Sequence, residues 1–317
     1  MKKFFGLIIY VCLLVCFLGT IVYLLLYGED DASKRKSAGI SVVLYGTDGD
    51  RWKQLEQGIG QACTELGIEK PVITIADSPG RQLSLIQREI ESGAKGVIVT
   101  AIDGNALSPY LEELSAGIPV VMAKDGAGEK LTCITADDTA MARELAKSVA
   151  LEEGSIALLV GSNDRESVKK RYRAFLSQME ESGREIIVLE HDEDVDLKSF
   201  IASRLAIYKP AIDVLVVLDN DILEIAVGAV PASMTEVKLY GFGNSAKVVY
   251  GLDRGVIEKI MFQNEYAIGY ISAMTLAARM GIINKSELAP SYEIQYSLVS
   301  RENMFDPEIE RLVFPIL

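Results

Sequence analysis

The sequence predicts an α/β chain made of two successive blocks of parallel strands and helices, preceded by one apolar span. Three observations carry this reading. A single strand–turn–helix unit runs from Gly39 to Gly67. Its grammar recurs as far as Val299. Phe4 to Tyr27 holds no charged residue.

The apolar span comes first. As a helix its 24 residues would extend about 36 Å at 1.5 Å per residue. That is enough to cross a hydrocarbon core of about 30 Å. No small-x-small cleavage site follows, and Val11 and Val15 precede Cys12 and Cys16 where a lipoprotein box needs a small residue. The expectation is an uncleaved signal anchor; a cleaved signal of unusual length is the alternative. Lys2 and Lys3 place the N-terminus in the cytoplasm, against the opposing pull of Lys34, Arg35 and Lys36. The short tail before the span favours a body outside the cytoplasm. Residues 29–37 are polar, without apolar period, and read as a tether.

The first unit then begins. Ile40 to Tyr45 is apolar and β-branched, the mark of a buried strand. Gly46 to Gly49 are turn residues, and Asp50 is placed to cap the next helix. Along that helix Trp52, Leu55, Ile59, Ala62 and Leu66 form an apolar stripe, and Gly67 ends it. Further strands are expected at Val72–Ala76, Gly96–Thr100, Ile118–Ala123 and Leu131–Thr135, with helices over Gln82–Glu91 and Ser108–Ala116 between them. Asp137 or Asp138 is placed to cap a long helix through Ala150. The second block restarts with a strand at Ile156–Val160 and a helix over Arg165–Glu181. Strands at Ile186–Leu189, Val214–Leu218, Val237–Gly241, Val256–Phe262 and Ser291–Val299 follow. Helices at Leu197–Tyr208, Ile222–Ala229, Ala246–Asp253 and Tyr266–Met280 alternate with them.

Composition narrows the function. The chain has 317 residues and a formal charge of −13. Five cations against three acids give residues 1–37 a net +2, so the rest carries −15. Such a body repels phosphates, which argues against nucleic acid as a partner. The one histidine, His191, stands in an acidic run, which argues against histidine triads and His-rich metal sites. No CxxC is present; Cys63 and Cys133 read as free buried thiols, with a disulfide between them left open.

Catalytic motifs are absent: no GxSxG, no P-loop and no GxGxxG. Gly58-Ile59-Gly60 falls inside a helix, where glycines make no phosphate turn. Asp192, Asp194 and Asp196 lack the central glycine and final glutamate of a calcium loop and read as a solvated acidic loop. The chain is expected to be no enzyme and to need no cofactor or metal.

What remains is a set of side chains at strand ends, where open α/β sheets bind ligands. They are Arg51, Trp52, Thr100, Asp103, Lys124, Asp125, Arg171, Asn220, Phe242 and Gln263. Rings that stack on C–H faces, with amides and guanidinium groups that reach hydroxyls, suit a polyol. Each alone has a plainer reading, as core for Trp52 and Phe242 and as a solvated face for Arg171.

The order of the segments SGAKGVIVTAID, AGIPVVM, SVKKRYRAF, VVLDND, YGFGNS and KIMFQNEYAIG, after the first unit, resembles the periplasmic sugar-binding proteins of the ribose/galactose type. These share their body with LacI-type repressors. The resemblance covers about residues 39–300. It implies the type I periplasmic binding fold: two Rossmann-like lobes joined by a three-crossing hinge, here behind one transmembrane helix. The first lobe would hold 38–135 and 264–290, the second 136–263 and 291–317, with 1–28 the anchor.

The resemblance also implies roles. Trp52 would stack on a sugar, and Thr100, Arg171, Asn220, Phe242 and Gln263 would fall on ligand-binding positions. Two departures stand out. Lys124-Asp125 replaces an Asp-Arg pair, and Phe242-Gly243 replaces Phe-Asp. Together these readings imply an extracytoplasmic solute-binding protein, anchored in the cell membrane, that carries a monosaccharide or similar polyol to an ABC importer. The alternative partner is a sensor histidine kinase or chemoreceptor. A LacI-type effector domain and an enzyme rank below both.

Overall fold

The computed structural model describes residues 39–46, 50–125, 130–161, 165–191, 195–208, 212–229, 237–284 and 293–314. The apolar span at 4–27 and the acidic run at 192–194 lie outside them. Among the described residues no helix is long and apolar enough to cross a membrane.

The first lobe is a five-stranded parallel sheet. Its strands are β1 (Ile40–Tyr45), β2 (Val72–Ala76), β3 (Gly96–Val99), β4 (Val120–Ala123) and β5 (Thr132–Ile134), in the order β2-β1-β3-β4-β5. β1, β3 and β4 are buried on both faces, which is why they read as unbroken apolar runs rather than alternating ones. Its helices are α1 (Lys53–Glu65), α2 (Pro79–Glu91) and α3 (Gly104–Leu114).

The second lobe has six strands: β6 (Ile156–Val160), β7 (Ile186–Glu190), β8 (Val214–Val217), β9 (Lys238–Phe242), β10 (Lys259–Gln263) and β11 (Tyr296–Ser300). They lie in the order β11-β10-β9-β8-β6-β7, and only β11 runs antiparallel, against β10. The helices of this stretch are α4 (Asp138–Ala150), α5 (Glu166–Glu181), α6 (Leu197–Tyr208), α7 (Asn220–Ala229), α8 (Ala246–Asp253), α9 (Glu265–Arg279) and α10 (Pro307–Val313). α9 follows β10 in sequence but packs on α1, so the chain passes back to the first lobe there and returns with β11.

One apolar cluster runs through both lobes. It takes Leu55 and Ile59 from α1, Met141 and Leu145 from α4, Phe175 from α5 and Ile268 from α9, against the inner faces of both sheets. Separate clusters cover the outer faces. The α1–α9 crossing is close because it is glycine on glycine. A Cβ on Gly58 would stand 2.0 Å from the Tyr266 carbonyl oxygen, and one on Gly269 2.1 Å from that of Leu55.

Several boundaries differ from the sequence reading. α1 starts at Lys53, after a 3-10 turn over Asp50–Trp52, with Trp52 and not Asp50 at its N-cap position. α2 starts at Pro79, whose fixed φ suits a first turn. α3 starts at Gly104, because the Asp103 carboxylate accepts the Ala106 amide. Asp137 caps α4 through the Thr139 and Ala140 amides, leaving Asp138 to turn inward. Cys63 and Cys133 form no disulfide, but Cys133 is exposed on the edge strand β5; only Cys63 is buried.

Candidate ligand-binding cleft

The carboxyl ends of the two sheets face each other, and charged side chains fill the space between them. From the first lobe, Glu265 opens α9 and is fully buried. Its carboxylate accepts two hydrogen bonds from Arg51, at 2.7 and 2.8 Å, and a third from Lys124 Nζ. Burial alone would raise the Glu265 carboxyl. The pull of Arg51, then of Lys124, outweighs that and holds it far below the ordinary carboxylate range. Lys124 shifts downward: burial leads, and Arg51 and Arg171 repel its charge while only Glu265 favours it. One carboxylate thus serves two cations.

Trp52 lies beneath these cations. Its indole N–H donates to the Tyr45 carbonyl at 2.6 Å, and its ring meets Tyr45 edge-on at 4.8 Å. Arg51 stands 4.6 Å and Lys124 5.5 Å from the ring centre, within cation–π range. Lys124 has φ of 69°, the one non-glycine residue with positive φ among the described residues. Such a conformation costs about 1–3 kcal/mol and persists where the surroundings enforce it.

The second lobe supplies Arg165, just before α5. Its guanidinium donates across the cleft to the Tyr45 hydroxyl and, on its own side, to Asp219. It also lies 4.4 Å over the Tyr45 ring. Further contacts span the lobes, among them Arg51 Nε with Asp221 at 3.4 Å and the Gln54 amide donating to the Val313 carbonyl at 3.3 Å. The Ser167 amide donates to Asp125 at 3.1 Å, and the Asn105 amide to Glu166 at 2.8 Å. Deeper in, Arg171 donates to Asp138 at 2.6 Å and to the Leu218 carbonyl at 3.2 Å, over the Phe242 ring at 4.4 Å. Its Nη2 has no partner, and neither has Oε1 of Gln263. Asn220 shapes the floor, its side-chain oxygen accepting the Asn244 and Ser245 amides.

A small cavity remains, lined by Lys124, Arg171, Asn220, Phe242, Gly243, Asn244, Met261 and Gln263. Its volume is about 10 Å³, about the room of one water molecule. The lobes are therefore closed on each other, and any larger guest enters by their separation. A groove of about 450 Å³ opens beside the cleft, between α1, α8 and α10, with Tyr250, Phe305 and Phe314 on its walls. It is larger, and Arg51, Lys53, Asp253 and Gln54 are among its lining, with Arg51 Nε and Gln54 Oε1 buried and without a hydrogen-bond partner, but Arg171 and Gln263 are not part of it.

Lys124, Arg171, Asn220, Phe242 and Gln263 thus come together around the cavity. The other expected residues serve the frame. Thr100 Oγ1 accepts the Tyr45 amide at 3.0 Å, Asp103 caps α3, and Asp125 holds the α5 amide. Arg51 holds Glu265, and Trp52 is sealed in the core with no face toward the cavity. Sequence reasoning passed over Glu265, Arg165, Asp219 and Tyr45. Asp219 directly precedes Asn220 at a strand end, a signal that was there to read; the others gain meaning only from distant partners.

Residues 40–281 match the model of the periplasmic binding protein domain. No curated protein matches the chain. Among solved structures, a carbohydrate transporter solute-binding protein from Agrobacterium radiobacter, in complex with D-arabinose, is similar with a TM-score of 0.78 and 20% identity, over 86% of this chain and 98% of that one. An ABC transporter solute-binding protein from Agrobacterium vitis, bound to α-D-tagatopyranose, gives 0.73 and 19%, over 86% and 98%. A LacI transcriptional regulator from Bacteroides fragilis gives 0.72 and 16%, over 85% and 99%. At these identities the likeness is one of fold. The match over 40–281, on a body of two facing parallel-sheet lobes, places the chain in the periplasmic binding protein family.

Proposed function

We propose that the chain is an extracytoplasmic solute-binding protein that clamps a small sugar or polyol between its lobes and presents it to a membrane partner. The observation that carries this is the cavity at the meeting strand ends, where Phe242, Arg171, Asn220 and Gln263 converge. A buried ring beside planar hydrogen-bonding groups is the chemistry that fits a hydroxylated ring. The sugars bound by the similar Agrobacterium proteins support it. No bond chemistry is part of this reading.

The uncharged span Phe4–Tyr27 would anchor the body to the membrane surface. The partner is an ABC importer in the first reading. A sensor kinase or chemoreceptor is the second, favoured by the tether itself, since an anchored receptor need not diffuse. In either case the partner must prefer the closed lobes, because a ligand shifts an equilibrium only through differential affinity. Thermal unfolding of the full chain with a panel of pentoses, hexoses and inositols tests the ligand. A bound sugar raises the melting temperature by mass action; no shift with any member removes the sugar reading. Protease access from outside intact cells tests the placement of the body.

A further inference from the structure

The cavity wall carries two cations, Lys124 and Arg171, and no carboxylate. The nearby acids are not part of that lining: Glu265 holds Lys124, Asp138 holds Arg171, and Asp125 takes the Ser167 amide through Oδ1, its buried Oδ2 having no partner. Both cations are about 4% exposed. Arg171 Nη2 is left with a donor to give, and Gln263 Oε1 with a lone pair to fill, each buried and without a partner. Buried polar atoms of this kind ask for an explanation, because an unsatisfied group in a closed interior is costly.

Gly243 sharpens the point. It also lines the cavity, and it brings no side-chain acceptor. A Cβ there would stand 2.8 Å from Val248 Cγ1 and 3.0 Å from Asn220 Oδ1, so no acidic side chain fits at this position without movement. A sugar hydroxyl donates as well as accepts, and a carboxylate is its strongest acceptor. The charged groups of this wall are all donors, and its acceptors are neutral amides.

We infer that the guest of this cleft is a carboxylated monosaccharide, whose carboxylate seats between Lys124 and Arg171 and whose hydroxyl donates to Gln263. The inference rests on the solute-binding reading above and names its ligand class. The strained backbone of Lys124 supports it: φ of 69° is maintained at the residue that sets one cation in the wall. A carboxylate there gains charge-assisted hydrogen bonds in a site shielded from water.

The test is a set of matched pairs, titrated calorimetrically into the full chain: D-galacturonate against D-galactose, D-glucuronate against D-glucose, and D-gluconate against D-glucitol. Sodium acetate and inorganic phosphate, at the same concentrations, are the arms for a bare anion. At least one acid is expected to bind about ten- to a hundredfold tighter than its neutral partner, the range of a hydrogen bond to a charged group. Lys124→Gln is expected to shrink that preference to a few fold. The paired comparison in the unaltered chain stands whether or not the variant folds. Neutral sugars binding as tightly as their acids overturn the inference and leave the solute-binding reading intact. Phosphate or acetate binding as tightly as the acids also overturns it, by reducing the site to one for a bare oxyanion. A panel in which neither acids nor neutral sugars bind removes both.

Discussion

Glu265 and Arg51 are joined by two parallel hydrogen bonds, at 2.7 and 2.8 Å, although 214 residues separate them in the chain. The pair ties the first turn of α9 to the turn before α1, beside the hinge. With Lys124 as third member it fixes the cations of the cleft. Replacing one partner of a buried pair leaves an uncompensated charge, which costs about 3–5 kcal/mol. Glu265→Ala strands two cations and is expected to lose at least that much, read as a lower denaturant midpoint. A loss below about 1 kcal/mol, the worth of an exposed pair, would show that the triad is not the buried unit seen here.

The same carboxylate gives a pH dependence. Its folded-state pKa lies below its ordinary value of 4.5. Glu265 therefore adds stability above about pH 4.5, and that contribution drains away as pH falls further. The stability gap between the unaltered chain and Glu265→Gln should narrow on acidification from about pH 6 to about pH 3. A gap that stays constant would mean that Glu265 keeps its usual pKa in the folded chain.

The two glycines of α1 should behave oppositely. A methyl at Gly58 meets the Tyr266 backbone oxygen at 2.0 Å, so α1 and α9 must move apart. Overpacking of this kind costs about 1–3 kcal/mol and more where backbone must shift; Gly58→Ala is expected at or above the top of that range. A methyl at Gly60 meets only the flexible end of Lys70, at 3.2 Å. There the better helix propensity of alanine, about 0.5–1 kcal/mol, should leave Gly60→Ala neutral or more stable. Chemical denaturation of both variants decides, and equal losses would contradict the close crossing.

These examples show what the sequence could carry. The strands were legible because buried parallel strands are unbroken apolar runs, and Ile40–Tyr45 or Val214–Val217 admit little else. Gly58 and Gly60 were visible as glycines inside a helix, but the reason for Gly58 was not, since its partner backbone lies at Tyr266. The cleft was legible in part. Lys124, Asn220, Phe242 and Gln263 stand next to strand ends, which the apolar runs located, and Arg171 lies on the helix facing them; the resemblance to sugar-binding proteins is what singled out Arg171, Asn220, Phe242 and Gln263. Glu265 left no local mark, because its meaning is a pairing across 214 residues. Trp52 misled for the opposite reason. A lone aromatic at a strand end looks like a stacking platform, whereas its N–H is spent on Tyr45 and its face on two cations. The short α10 escaped notice although Asp306-Pro307 is a recognisable helix start.

Closure of the lobes should depend on Tyr45. Its hydroxyl accepts from Arg165 on the opposite side of the cleft, a bond that exists only while the lobes are shut. Tyr45→Phe keeps the ring beneath the guanidinium and removes that bond alone. A hydrogen bond to a charged group contributes about 1.5–3 kcal/mol, so the open form should gain about tenfold or more in population. The Ser167 amide reports this directly, because its acceptor is Asp125 of the other lobe, 3.1 Å away. Hydrogen exchange at the start of α5 should speed up by a similar factor, while exchange in β1 and β3, paired within one sheet, stays unchanged. Equal exchange at Ser167 in both chains would move the latch from Tyr45–Arg165 to the remaining contacts, among them Arg51–Asp221, Asp125–Ser167 and Asn105–Glu166.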